Sequence, residues 1–383
     1  MPDIDRIAVS SAAEADVPLV DLAYVTESVR AQLLADLDEL LTGNAFVNGP
    51  QVAEFEREFA RWCGVRHCVG VSSGLDALRL GLLAAGVGRG DEVLVPALTF
   101  IATFEAVSQA SATPLVVDVG EEDYNLDADA AAGVCSERTR FLVPVHLYGQ
   151  MADMRTLLEV ARRQDLVVLE DACQSHGAVR DGIRAGSAGD MAAFSFYPSK
   201  NLGAMGDAGA LTTHDERLAD RVRFLRQHGE DSKYRSAEPG YTGRLDTIQA
   251  LVLLRKLPLL AQWNVQRRGA AGAYAHELHD VGDLRLPAVV PGSSPVWHLF
   301  VVRTADPERL GTYLRERGIA TGRHYPELPH LSRAYADLGL RRGMFPVAEA
   351  IAREALSLPL FPGISESQIA RVCAAIRDYF NRG

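Results

Sequence analysis

From residue 67 onward, short apolar runs alternate with segments whose apolar residues recur at helical spacing, and this alternation constrains the fold more than any other feature of the chain. The runs 67–71, 92–95, 114–117, 141–145, 166–169 and 192–196 have the length and near-continuous apolar character of strands covered on both faces. Between them, residues 75–85, 100–109 and 153–163 read as helices. Strands separated by helices predict an α/β fold built on a mostly parallel sheet flanked by helices. Ligands of such sheets gather at the carboxyl ends of the strands, so that is where function is sought.

The texture changes after about residue 240. A long helical stretch, 245–263, leads into a second α/β region with a strand at 297–303 and helices near 307–317 and 366–379. The expected division is an N-terminal segment with a large domain over 1–263 and a small C-terminal α/β domain over 264–383. The Pro-, Gly- and Ser-rich segment 287–295 reads as a loop inside the second domain.

Composition excludes several functions. A formal net charge of −11 argues against nucleic acid as a partner, because phosphate backbones are bound by clustered, unopposed Lys and Arg. No apolar run approaches a membrane span, and residues 1–16 carry Asp3, Asp5, Glu14 and Asp16 without the apolar centre of a signal peptide. The five cysteines form none of the short-spaced pairs of zinc sites or secreted disulfide frameworks, so no metal is expected and a reducing, cytoplasmic setting fits.

Only three of the 39 basic residues are lysines, Lys200, Lys233 and Lys256. In a chain that otherwise uses arginine, a lysine is where one looks for chemistry that a permanently protonated guanidinium cannot do. Lys200 follows the strand-like run Ala192-Ala193-Phe194-Ser195-Phe196 through a short turn, which places an amine at a strand end where it can form a Schiff base; a surface lysine is the ordinary alternative. The run 166–169 delivers Glu170 and Asp171 to another strand end, where a carboxylate can pair with a protonated pyridine nitrogen or simply cap a helix. Ser72-Ser73-Gly74-Leu75 joins a strand to a helix, and the free N–H groups of that helix start suit a phosphate, although Ser and Gly there are also common caps. The glycine-rich stretch 201–210 reads as a loop that passes close to a flat ligand or merely turns. Amine, acid and phosphate cradle on one sheet are what a pyridoxal-phosphate site requires.

These residues resemble the nucleotide-sugar aminotransferases of the DegT/StrS family, fold type I pyridoxal-phosphate enzymes. The resemblance runs from Val17-Pro18-Leu19-Val20-Asp21-Leu22 through Gly49-Pro50-Gln51-Val52 and Gly90-Asp91-Glu92-Val93 to Leu356-Ser357-Leu358-Pro359. It implies Lys200 as the Schiff-base lysine and acid/base, and Asp171 as partner of the ring nitrogen. Gln174 is then at the ring hydroxyl, Ser195 with Ser73, Gly74 and Leu75 at the phosphate, and Phe100 stacked on the ring. It further implies a homodimer with shared active sites, in which the segment 228–246 reaches the neighbouring subunit. Many relatives have Asn where this chain has Thr242, so Thr242 is the expected phosphate contact across the interface, by its hydroxyl or a backbone N–H. The motifs around Tyr148, His298 and His324 look most like the branch acting on keto-deoxysugars linked to a nucleoside diphosphate, a 3-keto in preference to a 4-keto sugar. Tyr148, Arg244 and His324 are the substrate-side candidates, with an amino acid, glutamate by resemblance, as donor and a place in deoxyaminosugar (antibiotic-type) biosynthesis.

Three other readings compete. A sugar dehydratase of the same fold typically has His where this chain has Lys200. A non-catalytic regulatory relative would have no need to keep Lys200, Asp171 and Ser195 together. A dinucleotide-dependent oxidoreductase needs a glycine fingerprint that Ser72-Ser73-Gly74-Leu75-Asp76 lacks.

Overall fold

The computed structural model describes residues 17–382; the acidic stretch 1–16 lies outside them. Seven strands form the central sheet: β1 (His67–Val71), β2 (Glu92–Pro96), β3 (Thr113–Val117), β4 (Thr139–Leu142), β5 (Val167–Asp171), β6 (Met191–Ser195) and β7 (Gly209–Thr213). Their order is β1-β7-β6-β5-β4-β2-β3. The pairs from β6 across to β3 are parallel, whereas β7 runs antiparallel to both β1 and β6. The mostly parallel sheet expected from the alternation is present, with one reversed strand inserted.

That reversed strand is a correction. The stretch 201–210, read as a loop to its end, passes into β7 at Gly209. Glycine is needed there because a Cβ on Gly209 would overlap the backbone of Ser73. Gly-Ala-Leu-Thr-Thr shows neither a long apolar run nor alternation, which hid the strand.

Helices cover the sheet, among them α1 (Pro50–Cys63) and α2 (Gly74–Ala84). The stretch 245–263 is not one helix. It resolves into α3 (Thr247–Lys256), a 3-10 turn at Leu257–Leu259 containing Pro258, and α4 (Leu260–Glu277). Proline lacks the N–H that would continue the ladder, and its ring clashes with the preceding turn. Residue 263 therefore falls inside α4, whose later residues Ala270, Ala271 and Tyr274 join a second core.

The second core contains β8 (Phe300–Arg303), α5 (Pro307–Arg315), β9 (Ala355–Leu358) and α6 (Glu366–Asn381), with β8 antiparallel to β9. Val17 packs in this cluster too, its N–H donating to the carbonyl of Gly318. β8 starts at Phe300 rather than at 297, because Trp297 sits at φ 48 in the left-handed region, which no strand accommodates. Segment 287–295 is not confined to the second unit. Ser293–Ser294 pair with Val179–Arg180, and the Asp181 N–H donates to the Gly292 carbonyl, which brings the segment back to the first. Among the described residues no helix is long and apolar enough to cross a membrane.

Candidate active site

β5 ends on two adjacent carboxylates that strand geometry sends to opposite faces. Glu170 turns into the protein. It pairs with His146 Nε2 at 2.8 Å and accepts the N–H groups of Gly186, Ala188 and Gly189. Burial by itself would raise its pKa, but the His146 bond and these N–H groups outweigh it and hold the carboxyl below its usual range. Asp171 faces the cleft. Its Oδ2 accepts the Thr103 hydroxyl at 2.9 Å, and its Oδ1 accepts the Cys173 N–H at 3.2 Å.

β6 pairs with β5 so that Ala193 lies opposite Asp171. The chain leaves β6 at Ser195 and closes a tight turn in which Lys200 N–H donates to the Tyr197 carbonyl at 2.8 Å. Lys200 is thereby returned towards Asp171. Burial pulls the Lys200 amine below the ordinary lysine value, while neighbouring Cys173 and Asp171 oppose the shift. Such an amine is more readily neutral, and hence nucleophilic and basic, than one in water.

Three imidazoles stand near the same amine. Burial first, and then the charge of Lys200, lowers His176 to about 3 and His324 to about 4, and moves His298 in the same direction. All three are neutral at ordinary pH. The Nδ1 of His324 lies 2.8 Å from the Ser357 hydroxyl.

α2 begins beside this pair. Ser73 is its N-cap, with the side-chain oxygen accepting from Asp76 N–H at 3.1 Å. The N–H groups of Gly74 and Leu75 have no acceptor among the described residues, as expected of a helix start. A Cβ on Gly74 would stand 2.7 Å from the Ser195 Cβ and 2.9 Å from the Cys173 Sγ, so glycine lets the turn press against β6.

The other predicted residues fall around this centre. Gln174 accepts from the Tyr148 N–H at 2.8 Å and donates to the Tyr325 hydroxyl at 3.2 Å. Phe100 is 51% exposed, with its ring 5.6 Å from that of Tyr325. Tyr148 is buried, and its hydroxyl donates to the His324 carbonyl. Arg244 lies next to the Ser72–Gly74 turn through a backbone bridge to Val71, and its guanidinium has no partner among the described residues. Thr242 is exposed, with its hydroxyl 3.4 Å from His228 Nε2.

Sequence reasoning gave no role to Thr103, Cys173, His176, His298 or Tyr325. Thr103 reaches the site from a helix far from Asp171 in the chain, with no local motif to mark it, whereas Tyr325 lies in the motif around His324 but was given no role. Among the described residues, no group of three or more His, Cys, Asp or Glu side chains is disposed to hold a metal ion.

The residues fit pyridoxal phosphate by their donor chemistry. Unfilled N–H groups at a helix start suit the phosphate, a buried carboxylate suits the ring nitrogen, and a partly desolvated amine suits the aldehyde.

Comparison with known proteins agrees. The sequence profile of the DegT/DnrJ/EryC1/StrS aminotransferase family matches residues 27–377. The chain is 44% identical over 366 residues to the dTDP-3-amino-3,4,6-trideoxy-alpha-D-glucose transaminase of Streptomyces venezuelae, covering 96% of this chain and 97% of that one. Among solved structures, DesV of S. venezuelae superimposes with a TM-score of 0.94 at 45% identity, covering 96% of this chain and 99% of the other. NtdA of Bacillus subtilis, solved with bound cofactor PMP, superimposes with a TM-score of 0.88 at 30% identity, covering 96% of this chain and 86% of the other.

Proposed function

The chain belongs to the DegT/DnrJ/EryC1/StrS aminotransferase family, and from that premise we propose that it transfers an amino group from L-glutamate to a dTDP-linked 3-keto-6-deoxyhexose, a step in deoxyaminosugar biosynthesis. The observation that carries the reading is the meeting of the Lys200 amine with Asp171 beside the open N–H groups of Gly74 and Leu75. The name of the S. venezuelae relative supports position 3 and the dTDP group.

Pyridoxal phosphate, when bound, supplies an electron sink for negative charge at the carbon next to the transferred nitrogen. Gly74, Leu75, Ser73 and Ser195 hold its phosphate end. Asp171, fixed by Thr103 and the Cys173 N–H, keeps a proton on the ring nitrogen. Lys200, whose amine burial makes more readily neutral, would hold the aldehyde end of the cofactor and, when free of it, would carry the proton that moves during transfer. Gln174 would meet the ring hydroxyl and Phe100 would lie against the ring. Tyr148, Arg244 and His324 face the sugar nucleotide. Donor and acceptor use one site in turn, so the kinetics are ping-pong.

The active unit in this reading is a homodimer. Exposed Phe46, Val47, Met205 and Ile248 lie together, since the Thr247 N–H meets the Phe46 carbonyl and the Met205 N–H meets Gln249. An apolar patch of this kind beside the cleft suits a second copy, whose Thr242 segment would reach across to the phosphate. The five unpaired cysteines suit the cytoplasm.

The test is to supply the purified enzyme with pyridoxal phosphate, 15N-labelled glutamate and dTDP-3-keto-6-deoxyglucose, and to follow label into the sugar by mass spectrometry. Incorporation at carbon 3 is expected. Absence of label from any amino acid, with the cofactor bound, would overturn the reading; label only from a 4-keto sugar would move the amine to carbon 4.

A further inference from the structure

The residue after the active-site lysine, Asn201, is 4% exposed and points into the protein. Its Nδ2 donates to Asn264 Oδ1 and to the Val296 carbonyl, both at 2.9 Å. Asn264, on α4, is 3% exposed and donates from its own Nδ2 to the His176 carbonyl at 2.8 Å. Two side-chain amides thus tie together three segments that meet nowhere else in sequence. These are the Lys200 turn, the loop from Asp171 to His176, and the chain at 296–298 that carries His298 to the Lys200 amine.

The joint is built closely. Gly177, at φ +91, adopts a backbone that L side chains rarely accept, and a Cβ there would lie 3.2 Å from Asn264 Nδ2. One turn along α4, Arg267 donates from Nη1 to the carbonyls of Trp297, His298 and Leu360, at 3.2, 3.4 and 3.1 Å. It is 3% exposed and pairs with no carboxylate among the described residues. One face of α4 therefore grips backbone from both units around the active-site lysine.

Buried amides of this kind are not the cheapest way to stabilise a core, since apolar residues of equal volume fill the space without unmet polar atoms, and Asn201 Oδ1 is left without a partner. What an amide pair adds is register. It fixes which carbonyl lies opposite which N–H, where a pair of leucines would allow sliding. Lys200 acts at the end of a flexible four-carbon stem, so small movements of its backbone become large errors at Nζ.

We propose that Asn201 and Asn264 form a positioning joint that sets the Lys200 amine against Asp171 and couples its turn, through α4, to the second unit. Neither residue touches substrate or cofactor; both act through Lys200. The inference rests on Lys200 being the reactive amine of the proposed transamination.

Two variants test it. Asn264→Leu and Asn201→Leu each keep a branched side chain of four heavy atoms, add no charge beside Lys200, and remove the amide hydrogen bonds. In each, the thermal midpoint establishes folding, and borohydride reduction of the pyridoxal-phosphate-loaded enzyme followed by peptide mass spectrometry reports attachment at Lys200. The decisive readout is competitive acylation of the cofactor-free full chain across pH, with exposed Lys233 as internal reference. Loosening the turn admits water to Lys200, so its acylation midpoint should move up by about one pH unit towards the ordinary lysine value. In the loaded enzyme, kcat should fall about 10- to 100-fold, with KM for the sugar nucleotide within about twofold.

Folded variants with unchanged acylation profile and kcat would overturn the joint. So would loss of fold in both, which assigns it to stability alone. Failure to find the cofactor on Lys200 in the wild-type enzyme overturns the transaminase reading instead, so the two failures are distinguishable.

Discussion

Lys200 and Lys256 are both withdrawn from water, and the Lys256 amine donates at 2.8 Å to the carbonyl of Gly203, three residues after Lys200 in the chain. Burial lowers the proton affinity of each. Lys200 faces Asp171, three histidines and the unfilled turn at Gly74. Lys256 faces a backbone carbonyl, with no carboxylate partner among the described residues. A buried amine is therefore not by itself a reactive one. What differs is the set of groups able to hold a cofactor around it.

The largest expected effect tests that contrast directly. Lys200→Ala should reduce turnover by about a thousandfold or more, because it removes both the attachment and the proton carrier. Lys256→Met should keep turnover within about threefold, a neutral side chain of similar length keeping the packing of the buried stem. The check is steady-state transfer to the keto-sugar by both variants. Full activity of the Lys200 variant, or equal losses in the two, would erase the distinction.

The next effect belongs to the neighbouring carboxylates of β5, which repeat the contrast between cleft and core. Asp171→Asn should cut kcat by about 100- to 1000-fold while leaving the thermal midpoint close to wild type, since the amide oxygen can still accept from the Cys173 N–H and the amide NH2 can donate to the Thr103 hydroxyl, but the side chain carries no charge for the ring nitrogen. Glu170→Gln should do the reverse. It weakens the bond to His146 and one or more of the three N–H bonds, at a cost of about 1–3 kcal/mol in urea unfolding, with turnover largely kept.

How much of this was legible in sequence follows from where each signal lies. Strands buried on both faces are apolar runs, so β1 to β6 could be read, and with them the strand ends that carry Asp171 and Lys200. The scarcity of lysine narrowed the search to three, but it could not separate Lys200 from Lys256. The strand-end turn and the family resemblance singled out Lys200, but its meeting with Asp171 depends on β5 lying beside β6, a non-local fact. β7 stayed hidden because its residues carry no periodicity, and its place between β1 and β6 is set by distant strands. Asn264 and Arg267 stayed hidden for the opposite reason. Polar residues on a helix are ordinarily a solvated face, whereas here they are buried against backbone carbonyls.

A pH experiment sharpens the comparison through stability. Burial brings Lys256 from 10.5 to about 8. Below pH 8 the amine is charged in both folded and unfolded chains, so the fold bears the whole cost of a buried cation. Between pH 8 and 10.5 the unfolded chain still binds the proton that the folded chain has released, and stability rises with pH. The rise is about 3 kcal/mol at most. Lys256→Met should lack it, so the gap between wild type and variant in urea unfolding should change in favour of wild type from about pH 7 to pH 10. Parallel pH dependences would show that Lys256 keeps its ordinary proton affinity.

The smallest expected effect asks whether the two amines share a site. In competitive acylation of the cofactor-free chain near pH 8.5, saturating pyridoxal phosphate should protect Lys200 by about tenfold or more, because occupied sites are removed from reaction by mass action. Lys256 should change by less than about twofold relative to Lys233. Its amine is already tied to Gly203, and the residue is 4% exposed. Equal protection of both would mean that the cofactor, or the ordering it brings to the 201–206 loop, extends to the Lys256 side. The two lysines would then be parts of one site, and the Gly203 carbonyl would be the link between them.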